Sequence, residues 1–159
     1  MQALFMGLFA AIIVALDQIT KYLTVSGISL YEKVKLLPGV VGLTYVQNTG
    51  AAWSSFQGQQ WLFALIFIAF TVAIIWEYKK QAMQFTKFEW WCIAAIYGGG
   101  LGNMIDRVRF GFVVDMIETE FITFPVFNVA DCFITCGCIA LIVHLVFFNK
   151  SFWKDGKKK

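Results

Sequence analysis

Long apolar blocks, separated by short polar stretches, dominate the chain. Four of these blocks are long enough for a helix to cross a bilayer, which takes about 20 residues. They cover residues 3–24, 60–78, 88–105 and 129–148. We therefore predict four transmembrane helices. The first block has neither an N-terminal Lys or Arg nor a small-residue cleavage site, so we expect a retained helix and not a cleaved signal peptide.

The stretch 26–59 differs from these blocks because it alternates in places between apolar and polar residues. Pro38-Gly39 and Asn48-Thr49-Gly50 are turn signals within it. We predict short strands there that form a small sheet on the outer membrane surface. Gly50 lets the backbone come close to another group. The stretch is therefore either an ordinary hairpin turn or a loop that faces a substrate, with Asn48 as a hydrogen-bonding anchor.

Composition agrees with a membrane protein of a single domain over residues 1–159. The chain is 59% hydrophobic and 14% charged, whereas soluble domains are about one quarter charged. Its lysines gather after the second block and at the C-terminus: Lys79, Lys80, Lys87, Lys150, Lys154 and Lys157 to Lys159. Because Lys and Arg favour the cytoplasmic side, both termini are predicted to be cytoplasmic. Nothing in the charge pattern predicts nucleic-acid binding.

Four cysteines lie inside apolar segments, so a secreted disulfide framework is not expected. They are Cys92, Cys132, Cys136 and Cys138. Cys132 and Cys136 can share a helix face with His144, but a metal site needs more ligands and a polar second shell. We interpret the cysteines as small buried hydrophobic residues and expect no metal site and no cofactor.

Polar residues from all four predicted spans meet at the outer membrane face if both termini are cytoplasmic. They are Asp17, Asn48, Asn103, Asp106, Arg107, Asp115, Asn128 and Asp131. Lys21 lies four residues after Asp17 and shares its helix face, so the two can form an ion pair that faces a polar cavity or anchors the outer loops.

Spacing suggests a role for the polar residues that end the third block and begin the fourth. If the third helix continues, Asn103, Asp106 and Arg107 lie on one face. Arg107 can then pair bidentately with Asp106 and orient the outer loop. Asn128 and Asp131 suit the start of a helix, as an N-cap with an acid in the first turn. That interpretation leaves a catalytic role for Asp131 open.

Asp115 and Asp131 stand out because each adjoins a strongly apolar sequence. A carboxylate is expensive to bury at the edge of a membrane, which makes both residues functional candidates. Two adjacent carboxylates cannot both ionise cheaply, so they can share one proton near neutral pH. The ionised member can then activate water and the protonated member can donate to a leaving amine. These residues predict a membrane aspartic peptidase.

Five motifs occur in an order that is specific as a set. They are DQITK at 17–21, NTGAAW at 48–53, GNMIDR at 102–107, GFVVD at 111–115 and FNVAD at 127–131. With them the chain resembles lipoprotein signal peptidase (signal peptidase II), a family of bacterial membrane aspartic peptidases. The resemblance covers nearly the whole chain and the order of its spans.

The resemblance implies a fold, a reaction and a site. The fold is an all-α polytopic membrane protein with four transmembrane helices and a small extracytoplasmic β-cradle. The substrate is a diacylglyceryl-modified prolipoprotein, cut on the N-terminal side of its lipidated Cys. Asp115 and Asp131 are implied as the catalytic pair. The supporting residues implied are Asp17, Lys21, Asn48, Gly50, Asn103, Asp106, Arg107 and Asn128.

The resemblance also implies the bacterial inner membrane, contact with membrane lipid and a site near the extracytoplasmic face; we expect a monomer. Two other functions compete with the peptidase. A small four-helix transporter would use Asp17 as a coupling carboxylate, but transport places ionisable groups near the membrane midplane. A lipid-phosphate enzyme would use two Asp to hold Mg²⁺ and would lose its activity to chelators.

Overall fold

The structure is a computed structural model that describes residues 1–50 and 55–150. Within them, four helices and three strands follow one another as α1 Gln2–Gly27, β1 Lys33–Leu37, β2 Val41–Asn48, α2 Gln60–Lys80, α3 Lys87–Phe110, β3 Val113–Thr119 and α4 Val129–Phe147. Ala51, Ala52 and Trp53 of the NTGAAW motif lie outside the described residues, as do the lysines from Lys154 onward.

Each predicted apolar block forms a helix. By length and composition, α1, α2 and α4 are able to cross a membrane. Most of their surface is apolar and unburied, as expected for helices that face lipid. The third block forms α3, which contains most of the buried helical residues and continues past 105 to Phe110. The helix therefore includes Asn103, Asp106 and Arg107 on one face, as their spacing predicts.

Glycines on α3 let the neighbouring helices pack closely against it. A side chain at Gly99 would place its Cβ 2.5 Å from the carbonyl oxygen of Ala130 on α4. At Gly102 the Cβ would lie 2.5 Å from a carboxylate oxygen of Asp17 on α1. Both distances are shorter than any van der Waals contact. Small residues of this kind allow close helix contact within membranes, and here they bring α1 and α4 together around α3.

The strands form one antiparallel sheet in the order β1-β2-β3. The sequence pattern predicts strands only within residues 26–59, so it accounts for β1 and β2 and misses β3. Gly111 ends α3 with φ 79° and turns the chain toward the sheet. The pairing of β3 with β2 joins segments far apart in the sequence, which a local pattern does not reveal.

The cysteines depart from the prediction that they are small buried residues. All four are free thiols, but only Cys92 is buried, while Cys132 and Cys136 are exposed and Cys138 is half-buried. The prediction is therefore wrong for Cys132 and Cys136, which line a cavity beside α4. The reason is that the cavity lies between α2 and this face of α4, so the two thiols border open space.

Candidate active site

A cavity of about 670 Å³ opens where α3 ends and α4 begins, beside the ends of β2 and the start of β3. Most of its wall is apolar and comes from α2, α3, α4 and the segment before α4. Of the eight polar residues predicted to meet at one membrane face, six line it: Asn48, Asn103, Arg107, Asp115, Asn128 and Asp131. These six residues therefore come together, whereas Asp17 and Asp106 are not among the lining residues.

Asp115 lies on β3 and is 2% exposed. Two side-chain amides donate to its carboxylate, one to each oxygen. The Nδ2 of Asn48 lies 2.8 Å from Oδ2, and the Nδ2 of Asn128 lies 2.7 Å from Oδ1. Asn48 therefore donates a hydrogen bond at the cavity, and its partner is the Asp115 carboxylate; its place in a substrate-facing loop stays a prediction. The two donors hold the carboxylate in one orientation at the cavity.

A β-bulge decides which residue of β2 reaches Asp115. Leu43 pairs with Ile117 and Val46 pairs with Asp115, so β2 has one more residue than β3 between these pairs. A bulge of this kind re-aims the side chains that follow it. Beyond it, Val46 and Asn48 share the sheet face of Asp115, because they pair with Asp115 and Val113. Without the extra residue, Asn48 would point to the opposite face.

Asp131 lies in the first turn of α4, where the helix dipole favours a negative charge. Its backbone N–H donates to Oδ1 of Asn128 at 2.9 Å, and its Oδ2 accepts from the Asn128 backbone N–H at 3.1 Å. These two bonds form a capping box. The other carboxylate oxygen accepts from Nδ2 of Asn103 at 2.8 Å. The predicted N-cap and first-turn acid are both confirmed.

Two asparagines connect the carboxylates to each other. Asn128 donates from its side chain to Asp115 and from its backbone to Asp131. Its Nδ2 also donates to Oδ1 of Asn103 at 3.0 Å, and Asn103 in turn donates to Asp131. Asp115 and Asp131 therefore belong to one continuous hydrogen-bond network. In such a network a change at one carboxylate is transmitted to the other.

The electrostatics distinguish Asp115 from an ordinary surface carboxylate. Burial raises the pKa of its carboxyl from 3.8 to about 7. The hydrogen bonds from Asn48 and Asn128 lower this pKa, and the nearby negative charge of Asp131 raises it. Burial therefore brings the pKa of the Asp115 carboxyl into the neutral range, where the group can either donate or accept a proton.

Beneath the two carboxylates, Asp17 and Lys21 form the predicted ion pair, at 2.8 Å. Lys21 also lies 3.0 Å from Asp106, and all three side chains are buried. The predicted bidentate pair of Arg107 with Asp106 is therefore wrong, because Asp106 faces Lys21. Gln18, which the residue pattern does not single out, donates to Oδ1 of Asp106 at 2.9 Å.

Arg107 contacts the loop after β2. Its Nη2 donates to the carbonyl oxygen of Gly50 at 3.0 Å, and its guanidinium lies 4.2 Å from the ring centre of Phe63. The Gly50 backbone N–H donates to Oδ1 of Asn48 at 2.9 Å. The prediction that Arg107 orients the outer loop holds for this part of the loop. Gly50 is thus fixed on both sides by groups that line the cavity.

His144 and the α4 cysteines form no metal cluster. His144 lies at the far end of α4, with its Nδ1 2.9 Å from Oε1 of Glu89. Among residues 1–50 and 55–150, no group of three or more His, Cys, Asp or Glu side chains has an arrangement that holds a metal ion.

A family model described as Signal peptidase (SPase) II matches residues 9–147. This match covers most of the chain and includes both carboxylates. The chain belongs to the signal peptidase II family. It is therefore an aspartic peptidase of the bacterial membrane that crosses the bilayer more than once. The resemblance carried by the five motifs is confirmed, and the family displaces the transporter and the lipid-phosphate enzyme.

Signal peptidase II relatives match nearly the full length of the chain. The lipoprotein signal peptidase of Enterococcus faecalis is 42% identical over 152 residues, which cover 94% of this chain and 92% of the relative. The lipoprotein signal peptidase of Lactococcus lactis subsp. lactis is 46% identical over 133 residues, which cover 82% of this chain and 85% of the relative.

Two solved bacterial membrane enzymes share this signal peptidase II fold. One, determined in meso at 2.3 Å resolution, has a TM-score of 0.83 and 32% identity and covers 98% of this chain and 93% of its own. The other, at 1.9 Å, has a TM-score of 0.81 and 33% identity and covers 91% of this chain and 94% of its own. The predicted fold class of four helices with a small sheet is confirmed.

Proposed function

We propose that this signal peptidase II removes the signal peptide from diacylglyceryl-modified prolipoproteins and cuts on the N-terminal side of the lipidated Cys. Asp115 and Asp131 are the proposed catalytic pair. One observation supports this assignment above the others: a single residue, Asn128, hydrogen-bonds to both carboxylates at the cavity wall. The curated relatives are named lipoprotein signal peptidases, which supports prolipoproteins as the substrates.

The chemistry follows from two carboxylates that hold one proton between them. The ionised carboxylate takes a proton from water, and the water oxygen bonds to the carbonyl carbon of the scissile amide. The protonated carboxyl donates to the carbonyl oxygen. When the C–N bond breaks, the carboxyl that took the proton from water gives it to the leaving nitrogen, and the other carboxylate takes a proton from one of the two hydroxyls as the product carboxyl forms. The pKa of Asp115, raised by burial to about 7, supports a pair that keeps one proton at neutral pH.

The shape of the cavity supports a substrate that carries a lipid. Phe63, Phe67 and Phe70 line it from one face of α2, at helical spacing. Ile134 lines it from α4, and the polar residues lie at one end of this apolar wall. Alkyl chains bury favourably against such a surface, at about 0.8 kcal/mol per CH₂. A diacylglyceryl group on the substrate Cys would occupy the apolar part while the peptide bond lies against the carboxylates.

The lysines support a site on the extracytoplasmic side. Lys87 begins α3, and Asn103 lies 16 residues later, which is roughly 24 Å along a helix. Lys79 and Lys80 end α2 near Lys87. Because Lys clusters favour the cytoplasm, we propose that α3 is a fourth span, that both termini are cytoplasmic and that the carboxylates face outward in the bacterial cell membrane.

A single chain of one domain would be sufficient for catalysis. Both carboxylates and the three asparagines that bind them come from the same chain. The proposed active unit is therefore a monomer.

The direct test is cleavage of a diacylglyceryl-modified prolipoprotein by purified protein in detergent. Asp115→Asn and Asp131→Asn are each expected to lower kcat at least ~10³-fold. Their melting temperatures report whether the fold is retained. The unmodified precursor serves as the matched substrate control, and each reaction is repeated with EDTA. Cleavage retained in either variant would overturn the catalytic pair, and equal cleavage of the unmodified precursor would overturn the lipid requirement.

A further inference from the structure

The backbone immediately before each proposed catalytic residue is held by a buried carboxylate. The N–H of Val114, which precedes Asp115, donates to Oδ2 of Asp106 at 3.0 Å. The N–H of Ala130, which precedes Asp131, donates to Oδ1 of Asp17 at 3.0 Å. Neither bond belongs to the sheet ladder or to the helix, so each is an additional tie on the peptide unit that positions a carboxylate.

Both of these buried carboxylates pair with the same ammonium group. The Nζ of Lys21 lies 2.8 Å from Oδ2 of Asp17 and 3.0 Å from Oδ2 of Asp106. Lys21 is 3% exposed, Asp17 0% and Asp106 1%. Buried ion pairs of this kind contribute little net stability, because removing the charges from water is costly. A role in fixing geometry would explain why so polar a cluster occupies the interior.

Lys21 is also one of two donors that fix which way the Asn103 amide faces. Its Nζ donates to Oδ1 of Asn103 at 2.9 Å. An ammonium group only donates, so the Asn103 oxygen must face Lys21 and its Nδ2 must face away. That Nδ2 is the group that donates to Asp131 at 2.8 Å. Asn128 donates to the same Asn103 oxygen at 3.0 Å, so loss of Lys21 would remove one of the two donors that hold the Asn103 amide in this orientation.

Gln18 closes the cluster from the next position on α1. Its Nε2 donates to Oδ1 of Asp106 at 2.9 Å and to the carbonyl oxygen of Gly102 at 3.2 Å. Gln18 therefore ties the Asp106 side chain to the α3 backbone one turn earlier. The cluster spans α1 and α3, and its hydrogen bonds extend to β3 and α4.

We propose that Asp17, Lys21 and Asp106, aided by Gln18, form one positioning unit that sets the separation of Asp115 and Asp131. This inference rests on the proposed function of those two carboxylates. The unit acts through the two backbone N–H groups and through the orientation of Asn103. It does not contact the substrate. Its contribution is to kcat, because a displacement of about 1 Å in a reacting group can cost ~10²-fold in rate.

Two substitutions at Asp106 separate geometry from charge. Asp106→Asn removes the charge but keeps an oxygen that can accept from Val114 and Lys21. Gln18 can turn its amide to face the new Nδ2, at the loss of its bond to the Gly102 carbonyl. Asp106→Glu keeps the charge but moves the carboxylate by about 1.5 Å, one methylene. We expect kcat of Asp106→Asn within about 5-fold of wild type. We expect kcat of Asp106→Glu to fall ~10²-fold with KM within about 2-fold.

A higher kcat for Asp106→Glu than for Asp106→Asn would mean that catalysis depends on the charge at this position and not on the place of the oxygen. That result would overturn the inference. Equal kcat in the two variants, or an effect confined to KM, would overturn it as well. If Asp106→Glu does not fold, Asp106→Ala replaces it. Both Asp106→Ala and Asp106→Asn lack the charge at this position, but only Asp106→Asn keeps an oxygen that can accept a hydrogen bond. Equal kcat for Asp106→Ala and Asp106→Asn would then overturn the inference.

Asp115→Asn, assayed alongside, distinguishes the two proposals. An active Asp115→Asn refutes the proposed catalytic pair, whatever the Asp106 variants do. An inactive Asp115→Asn with equal Asp106 variants refutes the positioning unit alone.

Discussion

Asn128 and Asp131 are joined by two hydrogen bonds, of 2.9 and 3.1 Å, that run in opposite directions between side chain and backbone. This pair begins α4. The same Asn128 donates from its side chain to Asp115 at 2.7 Å. The residue that starts the helix therefore also connects the two candidate catalytic carboxylates. The Oδ1 of Asn128 caps α4, whereas its Nδ2 donates to Asp115. Helix capping and the position of the Asp115 carboxylate therefore depend on different atoms of one side chain.

Replacing Asn128 can separate these two roles. Asn128→Ser keeps a side-chain oxygen that caps α4 but lacks the Nδ2 that donates to Asp115. A hydrogen bond to a charged group contributes ~1.5–3 kcal/mol, so kcat is expected to fall ~10- to 10²-fold while the melting temperature stays near that of wild type. Asn128→Ala should lower both, because a lost cap costs about 1 kcal/mol. Wild-type kcat in Asn128→Ser would show that the bond to Asp115 has no catalytic effect.

Asn48 and Gln47 provide a matched pair on adjacent positions of β2. Asn48 donates to Asp115, whereas Gln47 donates to the hydroxyl of Tyr45 at 2.8 Å. Successive residues of a strand point to opposite faces. Asn48→Ala is therefore expected to lower kcat/KM ~10-fold, and Gln47→Ala to change it less than about 2-fold. Equal effects in the same cleavage assay would contradict the register that the β-bulge produces.

The pKa of Asp115 predicts the direction of the pH dependence. Burial raises this pKa to about 7, so the carboxyl is protonated below that pH and ionised above it. Once both carboxylates are ionised, the pair has no proton to donate to the carbonyl oxygen of the scissile amide. We expect kcat/KM to fall as pH rises through about 7. The measurement is kcat/KM for a pre-lipidated substrate from about pH 5 to pH 9. An increase in kcat/KM above about pH 7 would contradict this prediction.

Much of this molecule could be predicted from local patterns along the chain. The apolar blocks predict the four helices because a bilayer requires a minimum length of apolar helix. The polar residues at the ends of those blocks predict a single site because alternating spans return to the same membrane face. Asn128 and Asp131 predict the start of α4 because a capping box involves residues only three apart. Each of these predictions rests on a feature that is visible within a short stretch of the sequence.

Other features escaped prediction because they depend on partners far apart in the chain. β3 is a strand because β2 is available to pair with it, and its own sequence, VVDMIET, does not alternate regularly between apolar and polar residues. Arg107 neighbours Asp106 on α3, yet it binds the Gly50 carbonyl, because Lys21 from α1 already occupies Asp106. The exposure of Cys132 depends on the cavity between α2 and α4.

By itself, then, the sequence determined the number of helices, the family and the residues that meet at the site, because length, hydropathy and motif order are properties of the chain. The tertiary structure alone decided which atoms touch. It placed Asn48 on the face of Asp115 through a bulge in β2, and it connected Lys21 to the backbone before both carboxylates through Asp17 and Asp106. Hydrogen bonds are short and directional, so their partners depend on the packing of all the elements together.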